Sequence, residues 1–270
     1  MTGPSDPERR SILEFRFIRF ETFGPIGVLT LNHPERRNAL SLDMLRELAL
    51  LTDHVAGNES VRVLIIRAAG KVFSSGHNLG EMVDGDFPHY QDIFRTCSAF
   101  MHRLQKLPQP VIAQVHGVAT AAGCQLVAAC DLALAEEDAT FGTPGVRIGV
   151  FCTTPAIPLV RAVGRKRALE MLFTGRMVTA REALEWGLVN RVVPLDRLET
   201  ETLSLAEEIA QASPLTLAIG KRAFYTQVNL DDEQAYTFGS EIMVGNLFAG
   251  DAREGMRAFL EKRKPLWKGK

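Results

Sequence analysis

The sequence predicts an α/β fold with a helical C-terminal region, and two patterns carry that reading. Up to residue 195, short apolar strand-like runs alternate with amphipathic helical stretches; beyond Asp196 no strand pattern recurs. Size supports one unit: 270 residues, 46% hydrophobic and 23% charged, suffice to bury a full core, and no low-complexity linker divides the chain.

Taken in order, residues 1–12 are expected to be a disordered tail. They contain no apolar run of the signal-peptide type, and Asp6 and Glu8 argue against a transit peptide, so the expected location is cytoplasmic. Residues 15–20 (FRFIRF) alternate apolar and basic side chains as a half-exposed strand does. Gly24-Pro25 turns the chain into a second strand, Ile26–Leu31, giving a hairpin. The polar loop 32–38 (NHPERRN) carries Arg36 and Arg37. Ser41 then has the character of an N-cap for a helix burying Leu42, Leu45, Leu48, Ala49 and Val55. Residues 61–67 (VRVLIIR) form a nearly continuous apolar strand, the pattern of a strand covered on both faces.

The loop at 68–82 (AAGKVFSSGHNLGEM) is rich in small residues and follows a buried strand, a place where backbone comes close to a ligand. A helix over 90–107 aligns Ile93, Phe94, Cys97, Phe100, Met101 and Leu104 on one stripe, and Pro108 and Pro110 end it. Positions 111–130 then carry no formal charge. Gln114, His116 and Gln125 interrupt the run, so it reads as buried structure rather than a membrane span. Within it, Val111–Val115 is a strand, His116-Gly117 a turn, and Ala121-Ala122-Gly123 the small-residue opening of a buried helix. Such a helix start leaves backbone N–H groups free to hold a negatively charged oxygen.

A short strand at 132–135 leads into a second long loop, 141–155 (FGTPGVRIGVFCTTP). Helices follow at 155–163, 165–174 and 179–186, the last opened by the capping box Thr179…Glu182, and then a strand at 189–193. Four further helices are expected near 196–212, 214–228, 232–248 and 251–263, with Asp251…Glu254 at cap spacing in the last.

The net charge of −1 gives no general attraction to nucleic acid or anionic membrane. Cys97, Cys124, Cys130 and Cys152 lack paired spacing and read as reduced thiols. No histidine pair has metal-ligand spacing, and neither a G-x-S-x-G elbow nor a dinucleotide or Walker A loop is present, so no metal or bound cofactor is expected. What remains is two loops of small residues, each following a buried strand. They can turn two N–H groups toward one carbonyl oxygen, each worth about 3–4 kcal/mol to an oxyanionic transition state.

Several separated motifs, in order, resemble the enoyl-CoA hydratase/isomerase (crotonase) family: Lys71 to Leu79 (KVFSSGHNL), Val115-His116-Gly117 through Gly123-Cys124-Gln125-Leu126, Phe141-Gly142-Thr143-Pro144, Leu172-Phe173-Thr174-Gly175, and the terminal Phe259 to Lys264. The likeness spans residues 15–264. It implies a β-β-α spiral over 13–195 that carries a CoA-thioester site, and a C-terminal helical region, 196–270, packing on the core and on neighbouring subunits of a homotrimer or dimer of trimers. The implied ligand is an acyl-CoA thioester of fatty-acid or acyl-CoA metabolism, with coenzyme A carried by the substrate. By motif position the oxyanion hole falls on the backbone N–H groups of His77 and Ala122. Ser75, Gly76, His77, Asn78, Leu79 and Gly80 would line the adenine and pantetheine path. Arg36, Arg37 and the basic terminus with Lys262 would approach the phosphates, and Cys152 would line the pocket.

The chain departs from the family where chemistry is concentrated. Gln125 and Gly145 stand where hydratases carry their two glutamates, and Thr153 where some dienoyl-CoA isomerases carry an acid. Neither glutamine nor glycine transfers protons near neutral pH, although Gln125 can orient a water. Hydration by a glutamate pair is therefore not expected; restoring both glutamates is expected to raise it if the hole is intact. Three readings stay open: a lyase- or isomerase-type enzyme with an atypical site, a malonyl-type-CoA decarboxylase, and a regulatory acyl-CoA binder without turnover. The second rests on Ser74-Ser75-Gly76-His77-Asn78, which is similar to the Ser-Ala-Gly-His-Asp of bacterial methylmalonyl-CoA decarboxylase, although Cys152 replaces the tyrosine expected there.

Overall fold

A computed structural model describes residues 14–270; the expected tail at 1–12 lies outside the described residues. Strands β1 (Ile18–Phe23) and β2 (Ile26–Leu31) form the expected antiparallel hairpin. β1 starts later than the alternating FRFIRF pattern suggests, because the N–H groups of Arg16 and Phe17 donate to the Glu47 carboxylate instead of joining the strand. Helix α1 (Leu42–Ala56) is capped by Ser41, whose side chain accepts the Met44 N–H. Its buried stripe includes Met44 and Leu51, with Ala49 only half-buried. β3 (Val63–Ala68) follows. α2 (Phe87–Lys106) begins three residues before the predicted start, where Asp86 caps the His89 N–H and Pro88 sits in the first turn.

The next elements are β4 (Val111–Val115), β5 (Val118–Thr120), α3 (Ala122–Ala129), β6 (Leu132–Glu136) and β7 (Thr140–Gly142). Then come α4 (Thr153–Val163), α5 (Arg165–Thr174), β8 (Met177–Thr179), α6 (Ala180–Trp186) and β9 (Arg191–Val193). The chain ends with α7 (Leu195–Ala210), α8 (Pro214–Gln227), α9 (Asp232–Leu247) and α10 (Gly250–Leu260). The capping box of α6 is formed by both Thr179 and Glu182. Asp251, by contrast, caps nothing: α10 starts behind Ala249, and the Asp251 carboxylate accepts Ser213 Oγ–H and the N–H groups of Lys268 and Gly269, tying the C-terminal strap down.

One sheet has the order β1-β2-β3-β4-β6-β9, parallel after the first pair. Both its faces are covered, as the apolar run of β3 predicts: Leu64 and Ile66 point into the core with α1 and α2, while Val63 and Ile65 pack with Leu198, Ala206 and Ala210 of α7. A second sheet, β5-β7-β8, has no counterpart among the sequence expectations, since three-residue strands are too short to show a period. Gly117, at φ 60°, turns the chain from one sheet to the other, and its N–H donates to the Glu136 carboxylate. Isolated bridges Leu40–His77 and Ser74–Ala119 carry the same layer onward beside β5 and β7. Successive β-β-α turns therefore stack as a spiral, and their short second segments lie side by side. Among the described residues no helix is long and apolar enough to cross a membrane.

Candidate functional site

The loop after β3 is fastened by a residue that no sequence motif singles out. Asn38 is fully buried at φ 49°, a left-handed conformation that asparagine tolerates better than most residues. Its Oδ1 accepts the His33 N–H at 2.8 Å, its Nδ2 donates to the carbonyls of Ala69 (2.8 Å) and Val72 (2.7 Å), and its own carbonyl accepts Ser74 Oγ–H at 2.9 Å. The Ser75 N–H donates to the Arg37 carbonyl at 3.1 Å and the Leu40 N–H to the Gly76 carbonyl at 2.7 Å. The exposed Arg36-Arg37 pair thus adjoins the Ser75-Gly76 backbone.

The next turn of the spiral lies against this loop. Thr120 N–H donates to the Ser74 carbonyl at 2.9 Å, and Ser74 N–H donates to the Val118 carbonyl at 3.1 Å. Close approach requires glycine on both sides. A Cβ on Gly76, at φ 89°, would sit 2.8 Å from Ala121 Cβ and 3.2 Å from the Ala122 nitrogen, and one on Gly123 would overlap the Ser74 carbonyl oxygen. Ala121 holds φ 49° and ψ −117°, an arrangement an alanine adopts only at a cost of order 1–3 kcal/mol, and its N–H is pinned to the Gly142 carbonyl at 2.8 Å. Strain held this way sets the direction of the following amide. Among the described residues neither the His77 N–H nor the Ala122 N–H has a protein acceptor. The two amides therefore belong to abutting segments and are both available.

The side chains around them differ in availability. The His77 ring sets Nδ1 3.3 Å from the Leu40 carbonyl and stands edge-on to Phe94, with centroids 5.3 Å apart. Burial holds its pKa below the ordinary value, against the opposing pull of the Leu40 carbonyl and Glu81, so the ring is neutral at neutral pH, and its Nε2 is buried without a partner. Gln125, 4% exposed, has an unpartnered buried Oε1; Thr143, 1% exposed, has an unpartnered Oγ1. Gly145 is packed tight: a Cβ there would overlap the Val150 carbonyl oxygen and stand 2.7 Å from Cys152 Sγ. Restoring a glutamate at 145 is therefore sterically barred with Cys152 and the 145–152 loop as they stand, which corrects the expectation that two substitutions suffice.

Asn78 caps a single 3-10 turn, Leu79–Glu81: its Oδ1 accepts the Gly80 N–H and its Nδ2 donates to Glu81 Oε1 at 2.9 Å. Glu81 Oε2 accepts the Leu42 N–H at 3.0 Å, so that carboxylate is engaged in holding the loop. Leu79 and Gly80 are exposed beside it. Ser75 to Gly80 and Arg36-Arg37 thus lie together. Lys262 follows α10 at φ 54°, its N–H donating to the Phe259 carbonyl at 3.2 Å.

The fold and these motifs agree with known proteins. The enoyl-CoA hydratase/isomerase family profile matches residues 21–270. The chain belongs to the enoyl-CoA hydratase/isomerase family. The enoyl-CoA hydratase domain-containing protein 3, mitochondrial, of Mus musculus is 50% identical over 240 residues, covering 88% of this chain and 80% of that protein. The crystal structure of human enoyl-Coenzyme A hydratase domain-containing protein 3 superposes with a TM-score of 0.91 at 46% identity, covering 93% of this chain and all of that one. A crystal structure of enoyl-CoA hydratase from Mycobacterium smegmatis gives a TM-score of 0.91 at 44% identity, over 94% of this chain and 99% of that one.

These family members correct one expectation. The relatives from Mus musculus, Xenopus laevis and Homo sapiens are named as mitochondrial, which conflicts with a cytoplasmic location. The cytoplasmic expectation rests on Asp6 and Glu8, and organelle addresses are read from short segments by receptors rather than from the folded body.

Proposed function

We propose that the protein binds an acyl-CoA thioester, with the thioester oxygen received by the N–H groups of His77 and Ala122, and does not hydrate it by a glutamate pair. The observation that supports this reading most is the pair of acceptor-free amides on abutting spiral turns, one of them aimed by a strained alanine. In a water-poor site each such donor is worth about 3–4 kcal/mol to a developing oxyanion. The Arg36-Arg37 loop beside Ser75-Gly76 supports phosphate contacts at the CoA end. Gln125 and Gly145 leave those two positions without carboxylates, so the chemistry proposed is enolate formation at the acyl carbon next to the thioester.

Decarboxylation of a malonyl-type thioester is the second reading, since the same two amides would hold its enolate and the buried His77 ring beside them makes a surrounding that desolvates a carboxylate. The test is a panel of saturated, enoyl- and malonyl-type CoA thioesters, with binding followed by thermal shift and products by mass spectrometry. Binding of acyl-CoA with no water addition is the expected result. Rapid hydration of an enoyl-CoA would overturn the reading, as would failure to bind any CoA thioester.

The C-terminal helices support an assembly of several copies. Within one subunit α8 and α9 bury no residue fully, and Phe224, Tyr236, Met243, Val244 and Phe248 are exposed. A homotrimer or dimer of trimers would cover them, with a mass three or six times 29.8 kDa.

A further inference from the structure

A cavity of about 340 Å³ opens at the edge of the main sheet where β3 and β4 begin. It lies between the end of α1 (Ala56, then Glu59), the Pro108-Gln109 turn, the start of α8 and the C-terminal strap. The five residues of β4, at about 3.3 Å each, put roughly 16 Å between this edge and the turn at Gly117 that leads to the proposed hole. The strap wall is firmly placed. Asp251 accepts the N–H groups of Lys268 at 2.7 Å and Gly269 at 3.0 Å. Trp267 Nε1–H donates to the Gln211 carbonyl at 2.6 Å, and a Cβ on Gly255 would stand 3.0 Å from the indole. That indole, with Val61, Pro108 and Pro214, gives the cavity its apolar walls.

Several polar groups of the lining are left without partners. Gln109, 6% exposed, donates Nε2–H to the Val55 carbonyl at 2.8 Å, and its own carbonyl accepts Lys221 Nζ–H at 2.9 Å. The residue is pinned at both ends, yet its buried Oε1 has no partner. Turning the amide over would set Oε1 against the Val55 oxygen, two acceptors together. An orphaned acceptor of this kind is uncommon in folded proteins and marks a place completed by a donor from a ligand or water. The Leu215 N–H, in the first turn of α8, has no acceptor among the described residues either. Ser213 Oγ takes the Thr216 N–H, and the Gln211 carbonyl, four residues back, takes Trp267. Three charged side chains of the lining, Glu59, Arg62 and Lys268, form no salt bridge among the described residues, and Arg62 spends one N–H on the Ala210 carbonyl at 3.0 Å.

We propose that this cavity is a second binding site, one that takes a small zwitterion with an apolar body, as an α-amino acid with a hydrocarbon side chain presents. The ammonium supplies the donor that Gln109 Oε1 lacks and neutralises the Glu59 carboxylate. The carboxylate is received by Arg62, Lys268 and the Leu215 N–H, and the side chain lies against the Trp267 indole and the two prolines. A simple anion would leave Gln109 Oε1 and Glu59 facing another acceptor. A simple amine would leave Arg62 and Lys268 facing another cation. The volume is at the small end of ligand pockets, which run from about 300 to 1,000 Å³, and suits a molecule of about a dozen heavy atoms. This site stands whether or not the thioester reading does, because it shares no residue with the proposed hole.

The experiment titrates L-leucine, L-phenylalanine, 3-phenylpropanoate and phenethylamine into the intact protein, with binding read by saturation-transfer NMR in the absence and presence of hexanoyl-CoA. At least one of the two amino acids should bind with a Kd of about 1 mM or tighter, and the two analogues that lack one charged end at least about tenfold more weakly than L-phenylalanine or not at all. Glu59→Ala and Lys268→Ala change exposed residues, so both should keep the wild-type Tm. Each should weaken amino-acid binding about threefold or more. Failure of both amino acids to bind at about 10 mM would overturn the proposal. So would equal binding of 3-phenylpropanoate or phenethylamine, or unaltered affinity in both variants. Displacement of the amino acid by hexanoyl-CoA would also overturn it, by putting the amino acid in the thioester site.

Discussion

Gly145 and Cys152 share a space that admits only one side chain. A Cβ on Gly145 would meet the Val150 carbonyl oxygen and Cys152 Sγ, the latter at 2.7 Å, while the Val150 N–H closes the loop onto the Gly145 carbonyl at 3.0 Å. Gly145→Glu should therefore lower stability by about 1–3 kcal/mol or more, as overpacking does. Combined with Gln125→Glu, it should not create hydratase activity. Thermal denaturation checks the first statement; a variant melting with the wild type would show that the loop yields.

Gly76 is the contact between the two halves of the proposed hole. At φ 89°, with Ala121 Cβ 2.8 Å from its missing Cβ, it has no room for a methyl group and a conformation that resists one. Gly76→Ala should cost about 1–3 kcal/mol and separate the two amides. Acyl-CoA affinity should fall about tenfold or more, the equivalent of 1.4 kcal/mol. Titration calorimetry on the folded fraction reads this, and unaltered affinity would detach Gly76 from the site.

Asn38 fastens the loop from beneath. Asn38→Ala leaves the His33 N–H and the carbonyls of Ala69 and Val72 without their side-chain partner in a buried setting. Each orphaned group costs about 1–3 kcal/mol, so a loss of several degrees in Tm is expected, together with faster amide exchange at 69–77. A variant with native Tm and protection would mean that the loop is held by other bonds.

His77 gives stability a pH dependence. Its folded pKa is depressed below the ordinary 6.5 by burial, so the unfolded chain takes up this proton first as pH falls. The neutral ring's contribution is complete above about pH 6.5 and is lost progressively as pH drops through that value toward the folded pKa. Melting curves between about pH 7.5 and 5 should show this slope. His77→Gln, which cannot titrate, should flatten it. Equal slopes in the two proteins would assign the pH dependence to other groups.

Much of the scaffold is legible in the sequence because it is written locally. The apolar run of β3 announces a strand covered on both faces, and α7 covers the second. Ser41 and the Thr179…Glu182 pair mark helix starts that their side chains do cap. Motif order is enough to expect the spiral and its family. The sheet of β5, β7 and β8 is invisible at that level, since strands of three residues carry no readable period and exist only through pairing with one another. Asp251 has the spacing of a cap, yet its carboxylate serves Ser213 and the chain terminus, partners that sequence spacing does not reveal.

The sequence by itself determined the α/β order, the buried strands, the helix caps and the absence of carboxylates at positions 125 and 145. Those are consequences of side-chain chemistry and short-range spacing. Only the tertiary structure decided that Asn38 clamps the loop before His77, that Ala121 is strained against Gly76, that the His77 ring turns to Leu40, and that Cys152 closes the space at Gly145. The reason is physical: each is a contact between segments brought together by the spiral, and sterics and burial act across space without regard to distance along the chain.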